Sequence, residues 1–202
     1  MKNLLIYFII LFIHNKIIAQ KKNDFNFDMN LGYYLTNSNG LAFELNHELK
    51  YYILKNLSIG LRCGGSFSDK KIILLNNNSD NSKNELLEFN FSFLGTLEYC
   101  YYKKNKFIHP FFGIGFGRFR LTELGIYGAP QTVHIKEGFY YRIGFKIKKY
   151  QFAINAYKIP NTYKSGNNQN IGYIKNDYIS FSVGYTIKNV FRKRKKRSNR
   201  EK

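Results

Sequence analysis

Three glycines at alternate positions, Gly113, Gly115 and Gly117 in HPFFGIGFGRF, are the first residues here whose type and spacing suggest chemistry. A glycine-rich turn that opens a helix can cradle phosphates on its backbone N–H groups. That chemistry needs a strand before the glycines, a further glycine beyond them and a helix behind, or a GK[ST] sequence. Phe119 and Leu121 instead continue an alternating pattern, and no GK[ST] follows. Cys63 and Cys100 could bridge in an oxidising compartment, and His47, His109 and His134 could take part in catalysis or metal binding. The spacing of His109 and His134 matches no zinc motif. The elements that carry these residues decide among the readings.

Those elements read as strands throughout, because apolar residues recur at every second position and no stretch has a convincing helical period. Phe25, Phe27, Met29, Leu31, Tyr33 and Leu35 alternate with Asn26, Asp28, Asn30 and Gly32. Leu41 to Ile53 sets apolar residues, with His47 among them, against Glu44, Asn46, Glu48 and Lys50. Leu57 to Phe67 alternates with Ser58, Gly60, Arg62, Gly64 and Ser66; Phe89, Phe91, Phe93 and Leu97 alternate with Glu88, Asn90, Ser92, Thr96 and Glu98. The glycine stretch fits the same rule, with Phe112, Ile114 and Phe116 on the other face. Three more strands follow: Phe139 to Ile147 against Arg142 and Lys146, a short one with Phe152, Ile154 and Ala156, and Ile179 to Ile187.

The connections alternate in length. Residues 54–56, 103–106 and 148–150 form tight turns, while residues 70–84, about 122–137 and 160–177 are expected as long polar loops. The segment NSNG at 37–40 is short where a long loop would stand. Eight antiparallel up-and-down strands, with short turns at one end and long loops at the other, describe an outer-membrane β-barrel. Each strand is long enough, at roughly 9–11 residues, to cross a bilayer when tilted. A water-soluble barrel would alternate equally, with its apolar stripe turned inward. Small and ionisable residues on the polar face, the loop asymmetry, and Tyr51, Tyr52, Tyr99, Tyr101, Tyr102 and Tyr150 beside the tight turns favour the membrane, where an aromatic girdle marks the interface.

The ends of the chain frame this barrel. MKNLLIYFIILFIHNKIIAQ has a lysine near its start, an apolar run from Leu4 to Ile13 and Ala19 before Gln20, the layout of a secretory signal peptide. Ten apolar residues fall short of the roughly 20 a membrane helix needs. Residues 192–202 form a basic tail, expected to be disordered and periplasmic. Of the formal charge of +19, that tail holds +7 and the leader +2, leaving +10 for the body. Export makes nucleic acid an unsuitable partner whatever the charge. The tail could attract anionic lipid headgroups or an acidic partner, each Lys or Arg near such a surface contributing about 1 kcal/mol. The expected organisation is a signal peptide at 1–19, a barrel at 20–191 and the tail at 192–202.

The segments YYILKNLSIGLRCGGSF, HPFFGIGFG and YISFSVGYTI resemble strands of OmpA/OmpX-like outer-membrane β-barrel proteins of the Bacteroidota type. The resemblance implies a barrel in the outer membrane, in a family that covers many roles. It differs in that this chain continues beyond the last strand into the basic tail.

On that reading the lumen receives Asp28, Glu44, Glu48, Glu88 and Glu98 with Lys50, Arg62, Arg142 and Lys146. A hairpin centred on Lys55 puts Glu48 opposite Arg62, and the glycines leave room for Glu98 and Arg142 to meet. An eight-stranded barrel is just wide enough for side chains to fill, so we expect a plugged, salt-bridged lumen. Cys63 and Cys100 have opposite parity, and folding about the 70–84 loop places Cys63 near Phe91, so both thiols are expected free. The expected protein is a non-enzymatic, porin-like monomer with no cofactor or metal. Outer-membrane lipids surround it, its structural or interaction role is expected in the external loops, and an extracellular or periplasmic protein is a candidate partner. Two other readings stay open: a lipid-modifying enzyme using His47, for which no matching serine and acid appear on the neighbouring stripes, and a small passive pore.

Overall fold

The computed structural model describes residues 24–35, 41–74, 85–102, 106–124, 130–166, 169–188 and 190. The expected signal peptide, the NSNG loop and the basic tail lie outside them. Ten strands follow in order: β1 (Phe25–Leu35), β2 (Leu41–Tyr52), β3 (Leu57–Leu74), β4 (Glu85–Cys100), β5 (Ile108–Leu124), β6 (Pro130–Ile147), β7 (Tyr150–Lys158), β8 (Thr162–Gly166), β9 (Gln169–Ile174) and β10 (Tyr178–Lys188). Eight of them, β1 to β7 and β10, pair antiparallel in the order β2-β1-β10-β7-β6-β5-β4-β3, and β2 pairing with β3 closes the ring.

The stagger of that ring can be read from its register. Passing from partner to partner, Cys100 leads to Phe111, Gly144, Ala153, Ser182, Gly32, Glu44, Ser66 and back to β4 at Asn90. One circuit therefore climbs ten residues, from position 100 to position 90. At about 3.3 Å per residue and 4.8 Å between strands this corresponds to a tilt of roughly 40°, within the range of membrane barrels. The climb is even-numbered, so every inward side chain remains on the inward stripe when the ring closes.

The wall is apolar outside and polar inside. Leu31 is 62% exposed, Ile143 63% and Phe93 54%, whereas Asp28, Glu48 and Arg62 are fully buried. A water-soluble barrel has the reverse arrangement, so the apolar stripes of the eight ring strands form the lipid-facing wall of a transmembrane barrel. The tyrosines divide by parity, since adjacent strand residues point to opposite faces. Tyr51, Tyr99 and Tyr150 stand on the outward stripe, but Tyr52 and Tyr102 are buried and do not belong to the expected girdle.

The loops expected as long and polar are in large part strand. β3 runs on to Leu74, β5 and β6 pair as far as Leu124 and Pro130, and residues 162–174 hold a hairpin, β8–β9, that joins the end of β3. Beyond the bilayer a strand has water on its outer face, so its sequence loses the alternation that betrays it elsewhere. Asn176 clamps the base of this hairpin, its Nδ2 donating to the Pro160 carbonyl at 2.6 Å and to Thr162 Oγ1 at 3.0 Å. Asp177 accepts the Ile159 N–H at 2.7 Å and pairs with Lys158.

Candidate functional site: the charged lumen

Alternation sends Asp28, Glu48, Lys50, Arg62, Glu98, Arg142 and Lys146 inward, and the tilt stacks them in the half of the lumen nearest the tight turns. Asp28 and Glu48 are register partners on β1 and β2, and Glu48 faces Arg62 on β3, as the hairpin about Lys55 requires. Glu98 on β4 faces Gly113, which faces Arg142 on β6. Their side chains form one connected cluster. Lys50 Nζ lies 2.7 Å from Asp28, 2.6 Å from Glu98 and 3.6 Å from Glu48. Arg142 contacts Glu98 and stands 2.9 Å from Glu48, and Lys146 reaches Glu98 at 2.7 Å. Thr96 donates its hydroxyl to Glu48 at 2.6 Å.

Three carboxylates thus share four cations. Removing ions from water costs several kcal/mol each, which only close and well-bonded partners offset. Arg62, 3.7 Å from Glu48, is held as much by aromatic groups. Its Nη2 donates to the Tyr157 hydroxyl at 3.1 Å, and its guanidinium lies 4.6 Å from the Tyr140 ring centre. Phe111 lies under Arg142 and Lys146 at 5.2 and 5.1 Å. Aromatic faces are attractive to cations in such desolvated positions.

Two of the expected lumen acids lie outside this cluster. Glu44 stands further up, where it accepts hydrogen bonds from Ser180 Oγ at 2.7 Å and Asn155 Nδ2 at 3.3 Å. Beside it a cavity of about 10 Å³, lined by Glu44, Asn46, Ser66, Asn90 and Ser92, has room for roughly one water. Glu88, also buried, is the register partner of Glu123 near the end away from the tight turns. Tyr140, Asn155 and Tyr157 were not among the expected site residues. Their signal was the inward parity of β6 and β7, which the apolar stripe of a short strand obscured.

The remaining chemically suggestive residues separate. Cys63 and Cys100 are free thiols, one on the outward face and one buried in the lumen. The partner of Cys63 is Phe93 and not Phe91, two residues along β4 from the position that folding about the middle of the 70–84 segment gives. His47 lies on the lipid-facing wall, stacked on Phe27 at 5.8 Å between Met29 and Cys63. His134 lies 3.4 Å from Glu123 on the external strands. Among the described residues no group of three His, Cys, Asp or Glu side chains could hold a metal.

The fold is similar to that of the outer membrane protein OprG from Pseudomonas aeruginosa, with a TM-score of 0.56 and 11% identity over 85% of this chain and 99% of that one. It is also similar to the N-terminal β-barrel domain of OprF from Pseudomonas aeruginosa, with a TM-score of 0.47 and 9% identity over 83% and 100% of the two chains. No protein-family model matches the chain, and no curated protein does. Identities of this order carry the fold alone.

Proposed function

We propose that this chain is an outer-membrane barrel of the Bacteroidota type, exported by its leader, that serves as a structural or interaction protein through its external strands and loops. The observation that carries this reading is the uneven height of the wall. β6 continues from Phe139 out to Pro130 with β5 as its partner on one side, while β7 ends at Lys158, the register partner of Phe139. Among the described strands none pairs with Pro130–Gly138 on the other side. β8 is likewise an outermost strand, so the external sheet carries two edges whose backbone groups can accept an added strand. The filled lumen supports the same reading, since large side chains occupy the bore where a solute would pass.

The test is site-specific photocrosslinking in intact cells from Val133 and Ile135, which are exposed on the external part of β6. A discrete protein adduct that disappears when the β8–β9 hairpin or the upper β6 edge is shortened supports an interaction role. Absence of any adduct, together with a lipid A change on substitution of His47, would favour the lipid-modifying alternative.

A further inference from the structure

The chain has two methionines, two cysteines and four histidines, and one of each stands in a single row on the outer wall. Met29 on β1 is the register partner of His47 on β2, and His47 is the register partner of Cys63 on β3. Met1 belongs to the expected leader, so the body of the barrel holds Met29 as its one methionine. Its meeting with a cysteine across a histidine, on a wall made largely of Phe, Leu, Ile, Val and Tyr, is not demanded by packing. Direct cross-strand partners have Cα atoms about 4.5–5.5 Å apart, so a thioether, an imidazole and a thiolate from this row can converge on one ion.

We propose that Met29, His47 and Cys63 form a lipid-facing site for one soft monovalent metal ion of the Cu(I) class. Thioether and thiolate sulfurs with an imidazole nitrogen are the donors that select Cu(I) over hard cations. Charge points the same way. On binding, the Cys63 thiol releases its proton to water, and a monovalent ion with one thiolate is neutral overall. A neutral complex avoids the large cost of holding an ion in hydrocarbon, whereas a divalent ion would leave one uncompensated charge there. His47 has the position and the donor atom of a central ligand, because its ring is stacked on Phe27 and its buried Nδ1 has no hydrogen-bond partner among the described residues. Cys63 is a free thiol, half-buried between His47 and Phe93. Met29 is 41% exposed, which leaves its flexible side chain free to swing over the histidine. This site is independent of the proposed interaction role.

The experiment uses the whole refolded barrel in detergent micelles under reducing conditions, in a Cys100→Ser background so that one thiol remains. Cu(I) is supplied against a competing chelator, with Ag(I) as a redox-inert probe and Zn(II) as the control. The expected result is one Cu(I) per barrel, protection of Cys63 from a membrane-permeant maleimide by Cu(I) and Ag(I) but not Zn(II), and at least a tenfold loss of affinity in both Met29→Leu and His47→Phe. Both substitutions keep an apolar residue on the lipid face, and retained heat-modifiability on gels shows that they fold. Equal copper retention by Cys63→Ser, unchanged affinity in both variants, or equal protection by Zn(II) would overturn the proposal.

Discussion

Glu98 and Arg142 belong to strands that do not touch each other, yet their side chains pair across the glycine that separates them in register. Gly113 has no side chain to stand between them. The same carboxylate also receives Lys50 and Lys146, so Glu98 joins residues of β2, β4 and β6 across the bore.

Removing this hub leaves three cations buried with fewer partners. Glu98→Ala is expected to lower the stability of the barrel by about 3–5 kcal/mol, the range for breaking a buried ion pair on one side. Urea unfolding of the refolded protein in micelles measures it, and a midpoint equal to that of the unaltered chain would show that the cluster does not hold the barrel.

The glycines of the β5 stripe should differ sharply in tolerance. A Cβ at Gly113 would meet the Leu97 carbonyl at 3.3 Å and Glu98 Cβ at 3.6 Å, contacts that a small shift accommodates. At Gly117 it would drive into the Phe93 carbonyl and lie 2.8 Å from Leu94 Cα, and backbone does not yield. Gly113→Ala is expected to give a normal heat-modifiable barrel and Gly117→Ala a poorly folding one. Gly113→Leu should fail as well, by forcing Glu98 and Arg142 apart.

Planar-bilayer recordings of the refolded barrel are expected to lack large, stable channels. Arg62, Tyr52, Tyr140 and Phe119 are among the largest fully buried side chains, and the cavity beside Glu44 is only about 10 Å³. A steady conductance of porin size would contradict a plugged lumen.

The turn between β6 and β7 holds Lys148 at a φ of 55°, the left-handed region that side chains with a Cβ occupy at a cost. Lys148→Gly should raise stability by about 1 kcal/mol, the order of that penalty. An unchanged or lowered unfolding midpoint would mean that the contact of Lys148 with Phe107, 5.5 Å from Nζ to ring centre, matters more than the backbone.

The two thiols should respond to opposite kinds of reagent. Cys63, on the outer wall, is expected to react with a lipid-soluble maleimide in the folded state. Cys100, packed in the lumen with Tyr102, Phe111 and Ala153, should react only after unfolding. Equal rates for both in the folded protein would place one of them on the wrong face.

The alternation of apolar and polar residues was enough to identify eight barrel strands and the stripe on which the charges of the lumen cluster lie, because a side-chain period of two follows from strand geometry alone. The pairing of Glu48 with Arg62 and the alignment of Glu98, Gly113 and Arg142 were legible for a similar reason: they follow from counting along neighbouring strands. The external strands were not legible, since residues 122–124 and 130–137 have water on a face that would otherwise meet lipid.

Which charges meet across the bore was a matter for the tertiary structure. Glu48 lies nearer to Arg142, 94 residues away, than to its register partner Arg62. The ten-residue climb of the closed ring brings these groups to the same height, and the desolvated bore favours the closest ionic contacts whatever their separation along the chain. The sequence alone determined which face each of these residues occupies; closure with a particular stagger decided which of them touch.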